Sequence, residues 1–207
     1  EEIEDDEDVQ EINIYDEFDV NEISESSDEN DSETEDKDKN LGKRSRKKKT
    51  NVKLNEVGET QLHRACIEGK LKFVERLLEK GHPVNCRDYC GWLPLHEAVN
   101  HGHFDIVKLL IEEGANINDA GGAKCDGITP LHDACSCGHI NIIRLLIKKG
   151  AKVNVLTKNG ETPLDCFLAW KKRVDLNGDE LKECETLEKD LKESLEKSGF
   201  RSRASKI

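Results

Sequence analysis

Apolar residues recur at helical spacing in three separate stretches of this chain. Phe73-Val74-Leu77-Leu78, Phe104-Ile106-Val107-Leu109-Leu110 and Ile140-Ile142-Ile143-Leu145-Leu146 each gather on one stripe of an α-helix, the pattern of a helix with one face in a core. Gly81, Gly114 and Gly150 follow these stripes, where a helix ends most readily in left-handed backbone. Ahead of the last two stripes, and again further on, a shorter apolar segment opens at a proline: Pro94, Pro130 and Pro163. Proline is well tolerated in a first helical turn, because the N–H it lacks would have no partner there. The pattern therefore predicts helices in pairs, a short one leading a longer one.

The pairs repeat. Gly58-Glu59-Thr60-Gln61-Leu62-His63 returns as Gly91-Trp92-Leu93-Pro94-Leu95-His96, as Gly127-Ile128-Thr129-Pro130-Leu131-His132 and as Gly160-Glu161-Thr162-Pro163-Leu164-Asp165, with the glycines 33, 36 and 33 residues apart. A period of about 33 opened by Thr-Pro-Leu-His is the signature of the ankyrin repeat. The expected fold is an all-α ankyrin-repeat solenoid over residues 55–175, with units near 58–90, 91–126, 127–159 and 160–176. No unit buries its stripe alone, so stability comes from stacking neighbours, for which about three units suffice. The last unit is atypical: Asp165 replaces histidine, residues 165–173 read as its first helix, and Asn177-Gly178 breaks the pattern. Residues 179–197 form a charged helix with a seam of Leu181, Leu187, Leu191 and Leu195, which is expected to cap the open end of the stack in preference to receiving a partner helix.

Charge divides the rest of the chain. Residues 1–36 hold 19 Asp and Glu and no Lys or Arg, too self-repelling and too poor in apolar groups to offset ordering entropy, and are expected to be disordered, as is the tail 198–207. The linker 37–54 reverses the sign, with nine Lys and Arg against Asp38, and the whole-chain charge of −12 leaves about −1 for residues 54–207. An acidic site on the repeats must therefore be local. The run Lys43-Arg44-Ser45-Arg46-Lys47-Lys48-Lys49 reads as a nuclear import signal, a nucleic-acid contact or a solvated linker. Import is the preferred reading, since no aromatic residue interleaves with the charges to stack on bases, and no sequence-specific nucleic-acid contact is expected. The acidic segment reads as a solvated tail or as a holder of basic partners such as histones. No secretory signal and no apolar run of about 18 residues is present, so no membrane partner is expected and the thiols read as reduced and intracellular.

Catalysis and metal binding find little support. Cys135 and Cys137, flanked by His132 and His139, are separated by one residue, whereas zinc sites pair clusters with about two to four residues between ligands. His96-Glu97 and His132-Asp133 are adjacent pairs, but neighbours on a helix point in different directions and form no dyad by adjacency. There is no phosphate-cradling glycine loop. The chain reads as a binding module without cofactor, metal or catalytic residues.

Binding surfaces of such repeats lie on turn tips and first helices. The second turn, Arg87-Asp88-Tyr89-Cys90-Gly91-Trp92, carries two aromatics and an acid, and exposed Trp and Tyr are common anchors of binding surfaces. Glu97 and Asn100 share a helix face, and Asp133 holds in the third unit the position of Glu97 in the second. Stacking should bring Glu97, Asn100 and Asp133 together beside Trp92, with Glu59 extending the patch. Two carboxylates and an amide oxygen satisfy the three donors of an ammonium, and methylation removes those donors one at a time. Such a pocket prefers unmethylated lysine, whereas methyl-lysine is held by aromatic cages. The plainer reading is that Trp92 packs on the neighbouring turn and the acids are solvated.

The stretches Arg64-Ala65-Cys66-Ile67-Glu68-Gly69, Gly81-His82-Pro83, Arg87-Asp88-Tyr89-Cys90-Gly91-Trp92, Pro94-Leu95-His96-Glu97-Ala98 and Cys125 with Gly127-Ile128-Thr129-Pro130-Leu131-His132-Asp133-Ala134 closely resemble the ankyrin domain of the Tonsoku-like family. The Asp-Tyr-Cys-Gly-Trp turn and the three-residue insertion near Gly121-Gly122 make the match more specific than the ankyrin consensus. The resemblance covers about residues 55–175, extends to the preceding acidic stretch, and implies that the chain is a fragment of a longer protein. It implies a nuclear, chromatin-associated DNA-repair scaffold that supports homologous recombination at damaged forks. Such a scaffold binds histone-three/histone-four dimers by reading the histone-four tail when its key lysine is unmethylated, and meets histone chaperones or replication and repair proteins through the parent protein. It also implies that Glu97, Asn100 and Asp133 hold the lysine while Trp92, Asp88, Tyr89 and Glu59 line the groove. His96 and Cys137 complete the candidate histone-tail-binding set, and Ser136 and Val57 depart from the family pattern. The alternative is a nuclear ankyrin adaptor for a different peptide.

Overall fold

The computed structural model describes residues 52–199. The acidic segment 1–36, the linker up to residue 51 and the tail from residue 200 lie outside the described residues. Eight helices make up the described part, which contains no strand: α1 (Gln61–Ile67), α2 (Leu71–Glu79), α3 (Pro94–Asn100), α4 (Phe104–Glu112), α5 (Pro130–Cys137), α6 (Ile140–Lys148), α7 (Pro163–Lys171) and α8 (Gly178–Lys197). The first helices α1, α3, α5 and α7 pack in succession, and α2, α4 and α6 form a second row behind them. The helix α8 packs on α7 and α6 and closes the second row. This is the all-α ankyrin-repeat solenoid expected from the period.

One side chain per repeat explains how the first row is held. His63, His96 and His132 are buried at the third position of their helices. Each Nδ1 accepts the N–H of the residue before its helix, Thr60 at 3.1 Å, Leu93 at 3.2 Å and Thr129 at 3.2 Å. Each Nε2 then donates to a carbonyl of the following turn, Trp92 at 3.2 Å, Asp119 at 3.2 Å and Glu161 at 3.3 Å. Only the neutral imidazole with its proton on Nε2 makes both bonds. Burial lowers the pKa of all three, that of His96 to about 4. In the last repeat, Asp165 keeps the cap without the reach, accepting the N–H and hydroxyl of Thr162 at 2.8 and 2.7 Å.

The second row shares the core with the first. Val74, Leu77 and Leu78, then Ile106, Val107 and Leu110, then Ile142, Ile143 and Leu146 are buried between neighbouring helices, and burial of each such side chain contributes about 1.5–3 kcal/mol. Phe73, Leu109, Ile140 and Leu145 pack only partly against this core. Phe104 departs from the sequence expectation: it stands at the start of α4 and is 39% exposed. The three helices end alike. Gly81, Gly114 and Gly150 have φ of +86°, +89° and +92°, and the next residue, His82, Ala115 or Ala151, donates back to Leu77, Leu110 or Leu146 at 3.0, 2.9 and 2.9 Å.

The C-terminal element corrects two details. Asn177 does not simply break the pattern. Its side chain accepts the N–H of Asp179 and Glu180 at 3.1 and 3.0 Å, capping α8, and Gly178 is the first residue of that helix. Leu181 is 39% exposed, so the buried seam runs instead through Cys184, Leu187, Leu191 and Leu195. The helix has turned so that the thiol, not the first leucine, meets the stack.

Candidate functional site

The turn preceding α3 is built around its acid. Asp88 Oδ1 accepts the N–H groups of Gly91 and Trp92 at 2.6 and 2.7 Å, and the Asp88 N–H donates to the Trp92 carbonyl at 3.0 Å. One oxygen of Asp88 therefore serves to shape the loop, a role its place in the sequence did not reveal. Tyr89 projects at the tip, 63% exposed, and its N–H donates to the Val57 carbonyl at 3.2 Å, joining the first and second turns. Trp92 is half-buried. It sits edge-on to the His96 ring at 5.0 Å between centroids and lies over Gly121 of the third turn, where a Cβ would stand 3.6 Å from Cζ3. The indole thus does pack on the neighbouring turn, and it keeps an exposed side. His96 is buried with both nitrogens engaged, so it supports Trp92 from beneath and presents no atom to a ligand.

The first-helix row supplies the acids. Glu97 on α3 and Asp133 on α5 are both half-buried. Burial raises the pKa of Glu97, and the charges of Asp88 and Glu59 raise it further. Burial, reinforced by the Glu97 charge, pushes Asp133 up to about 7. Nε2 of His101 stands 3.9 Å from Glu97, and among the described residues no donor reaches the Asp133 carboxylate. Cys137 Sγ donates to Asn100 Oδ1 at 3.3 Å across the α3–α5 contact, which places Asn100 between the two repeats and leaves its oxygen a second lone pair. Glu59, at the far end, is held by Asn55 Nδ2 at 2.9 Å and Arg64 at 3.9 Å. The stack therefore brings Glu59, Asp88, Glu97 and Asp133 into one field, with Trp92 as a wall and Asn100 and Cys137 at the α3–α5 seam.

This arrangement suits a cation and little else. Two partly desolvated carboxylates, the charge of one raising the pKa of the other, are relieved by an opposite charge, and an ammonium adds directed donors. Among the described residues no three His, Cys, Asp or Glu side chains gather as they would around a metal ion, and the eight cysteines are unpaired. No helix among the described residues is long and apolar enough to cross a membrane. Sequence reasoning missed Asn55, Asp119 and the partners of Arg87; the one available signal was the three-residue insertion that lengthens the second unit to 36 residues.

Comparison with known proteins agrees with the fold. The model described as ankyrin repeats (many copies) matches residues 62–111, and that of the single ankyrin repeat matches residues 126–158. A Tonsoku-like protein of Bos taurus is 56% identical over 135 residues, 65% of this chain and 10% of that protein. Those of Danio rerio and Drosophila melanogaster are 51% and 46% identical over 143 and 151 residues, 68% and 72% of this chain and 10% and 11% of theirs. The chain spans about a tenth of the length of these relatives. Its repeats, their capping histidines and this similarity agree: the chain carries an ankyrin-repeat protein-interaction module, whose repeat region is homologous to part of the Tonsoku-like proteins.

Proposed function

We propose that residues 55–175 read the histone-four tail of a histone-three/histone-four dimer, taking one unmethylated lysine between Glu97, Asn100 and Asp133. The parent protein is then a nuclear, chromatin-bound repair scaffold of the Tonsoku-like kind, recognising newly deposited histones and supporting homologous recombination at damaged forks. The observation that carries this reading is the pair Glu97 and Asp133, two half-buried carboxylates on adjacent repeats whose pKa values burial raises, the Glu97 charge raising that of Asp133 further. Trp92 supplies an apolar wall for the methylene stem of lysine, and the exposed ring of Tyr89 and the Glu59 carboxylate extend the surface for flanking residues. Each methyl group added to the ammonium removes a donor and leaves a desolvated acceptor unmatched, at about 1–3 kcal/mol.

The test is titration of the full chain with histone-four tail peptides whose lysine carries zero, one or two methyl groups, beside Glu97→Ala and Asp133→Ala. Micromolar binding is expected, weakened about tenfold or more by dimethylation and by either substitution. Binding that ignores methylation is ordinary charge attraction, and would leave a nuclear ankyrin adaptor with another epitope.

A further inference from the structure

The insertion in the second unit has a structural consequence at the wall of the groove. Arg87 crosses from the second turn to the third, where Nη2 meets Asp119 Oδ2 at 2.6 Å, while Nη1 of the same guanidinium donates to the Gly91 carbonyl at 2.7 Å. That carbonyl also accepts the N–H of Gly122 at 3.0 Å, and Cys125 Sγ donates to the Cys90 carbonyl at 3.2 Å. Asp119 is engaged on every side: its Oδ1 accepts the N–H of Gly121 at 2.9 Å, and its backbone carbonyl accepts from His96 Nε2 at 3.2 Å. Both ends of the ion pair thus fix the two surfaces that sandwich Trp92, His96 beneath it and Gly121 beside it. Gly121 has φ of +70°, and a Cβ there would fall 2.3 Å from Cys125 Cβ, so the close approach admits only glycine.

We propose that Arg87 and Asp119 are positioning residues that clamp the second and third turns together and hold the Trp92 indole as a rigid wall, so that discrimination among lysine methylation states depends on an ion pair that touches no ligand. The inference rests on the reading of the groove given above. An isolated exposed ion pair contributes little. Here each partner also shapes a backbone turn, and a binding site gains affinity from groups already fixed in the bound geometry.

Arg87→Met, Asp119→Asn and the exchanged pair Arg87→Asp with Asp119→Arg test this in the full chain. Binding of the unmethylated and dimethylated peptides is measured beside the indole N–H resonance of Trp92 in the free protein, with Trp92→Phe assigning it against Trp170. Each single substitution is expected to shift or broaden that resonance, to weaken unmethylated binding roughly three- to tenfold and to narrow the preference over the dimethylated peptide. The two losses should not add in the double substitution Arg87→Met with Asp119→Asn, and the exchanged pair should recover part of the preference. An unchanged Trp92 resonance in both single variants overturns the clamp whatever the peptides do. Should the resonance move while the parental chain binds no histone-four peptide, the clamp stands and the histone reading is what fails. Equal binding and equal discrimination in parental and single variants overturn the role in specificity.

Discussion

Asp133 couples binding to protons. In the empty groove its carboxyl holds a proton up to about pH 7, against 3.8 for the free side chain. An entering ammonium needs the ionised form, so at pH 6 most molecules must first lose that proton, and affinity for an unmethylated lysine peptide should be about tenfold weaker at pH 6 than at pH 8. Asp133→Asn should bind weakly and lose most of this pH dependence, which separates the Asp133 proton from histidines in the peptide. A flat profile in the parental chain between pH 6 and 8 would mean that Asp133 is not where the cation lands. The same shift has a sign for stability. Because the folded carboxyl binds its proton more tightly than the unfolded one, its contribution is fully present below about pH 4 and is lost as pH rises through about 7. Asp133→Asn should therefore raise stability at pH 8, on the order of 1–3 kcal/mol, read from thermal or urea unfolding of the two chains. Sequence placed Glu97 and Asp133 together because equivalent positions of stacked repeats adjoin. It could not tell that Asp88 spends one oxygen on its own turn or that His96 is sealed beneath Trp92, since both depend on hydrogen bonds that only the folded turns close.

At the scale of elements, the first-helix row depends on neutral imidazoles. His63, His96 and His132 each accept at Nδ1 and donate at Nε2, and protonation removes the acceptor that caps the helix. Their folded pKa values lie below the ordinary 6.5, that of His96 at about 4. Below pH 6.5 the unfolded chain therefore binds more protons than the folded one, and stability falls as pH drops, with the His96 share reaching a few kcal/mol near pH 4. Acid unfolding between pH 6.5 and 4 should be blunted in His96→Gln relative to its own stability at neutral pH, although that variant starts lower. A pH midpoint identical in both chains would assign the acid sensitivity elsewhere. These elements were legible because each carries its own punctuation: proline or threonine at the start, an apolar stripe, glycine at the end. Phe104 and Leu181 were misplaced because a stripe read on one helix does not say where its neighbour stops. Phe104 sits at the first turn of α4, at the margin of the packed surface, and at α8 the buried line passes through Cys184.

A stack in which each repeat touches only its neighbours divides damage by position. Leu191 lies in α8, which packs chiefly on α7 and α6, whereas Ile143 lies in α6, between α4 on one side and α8 on the other. Both side chains are fully buried, and truncation to alanine removes comparable apolar volume, at about 2–5 kcal/mol. The consequences for the groove should differ. Its residues sit on the first turn, the second turn, α3 and α5, so opening of α7 and α8 leaves Glu97, Asn100 and Trp92 in place and loosens only the far side of α5. Leu191→Ala should therefore raise hydrogen exchange in α7 and α8 well below the global unfolding free energy while peptide affinity stays within about threefold of the parental chain. Ile143→Ala strikes the third repeat itself. It should raise exchange across α5 and α6 together and weaken binding in proportion to the fraction of molecules in which Asp133 has left the groove. Equal effects of the two substitutions on affinity would mean that the solenoid opens as a single unit, and that the binding surface depends on the whole stack and not on its second and third repeats.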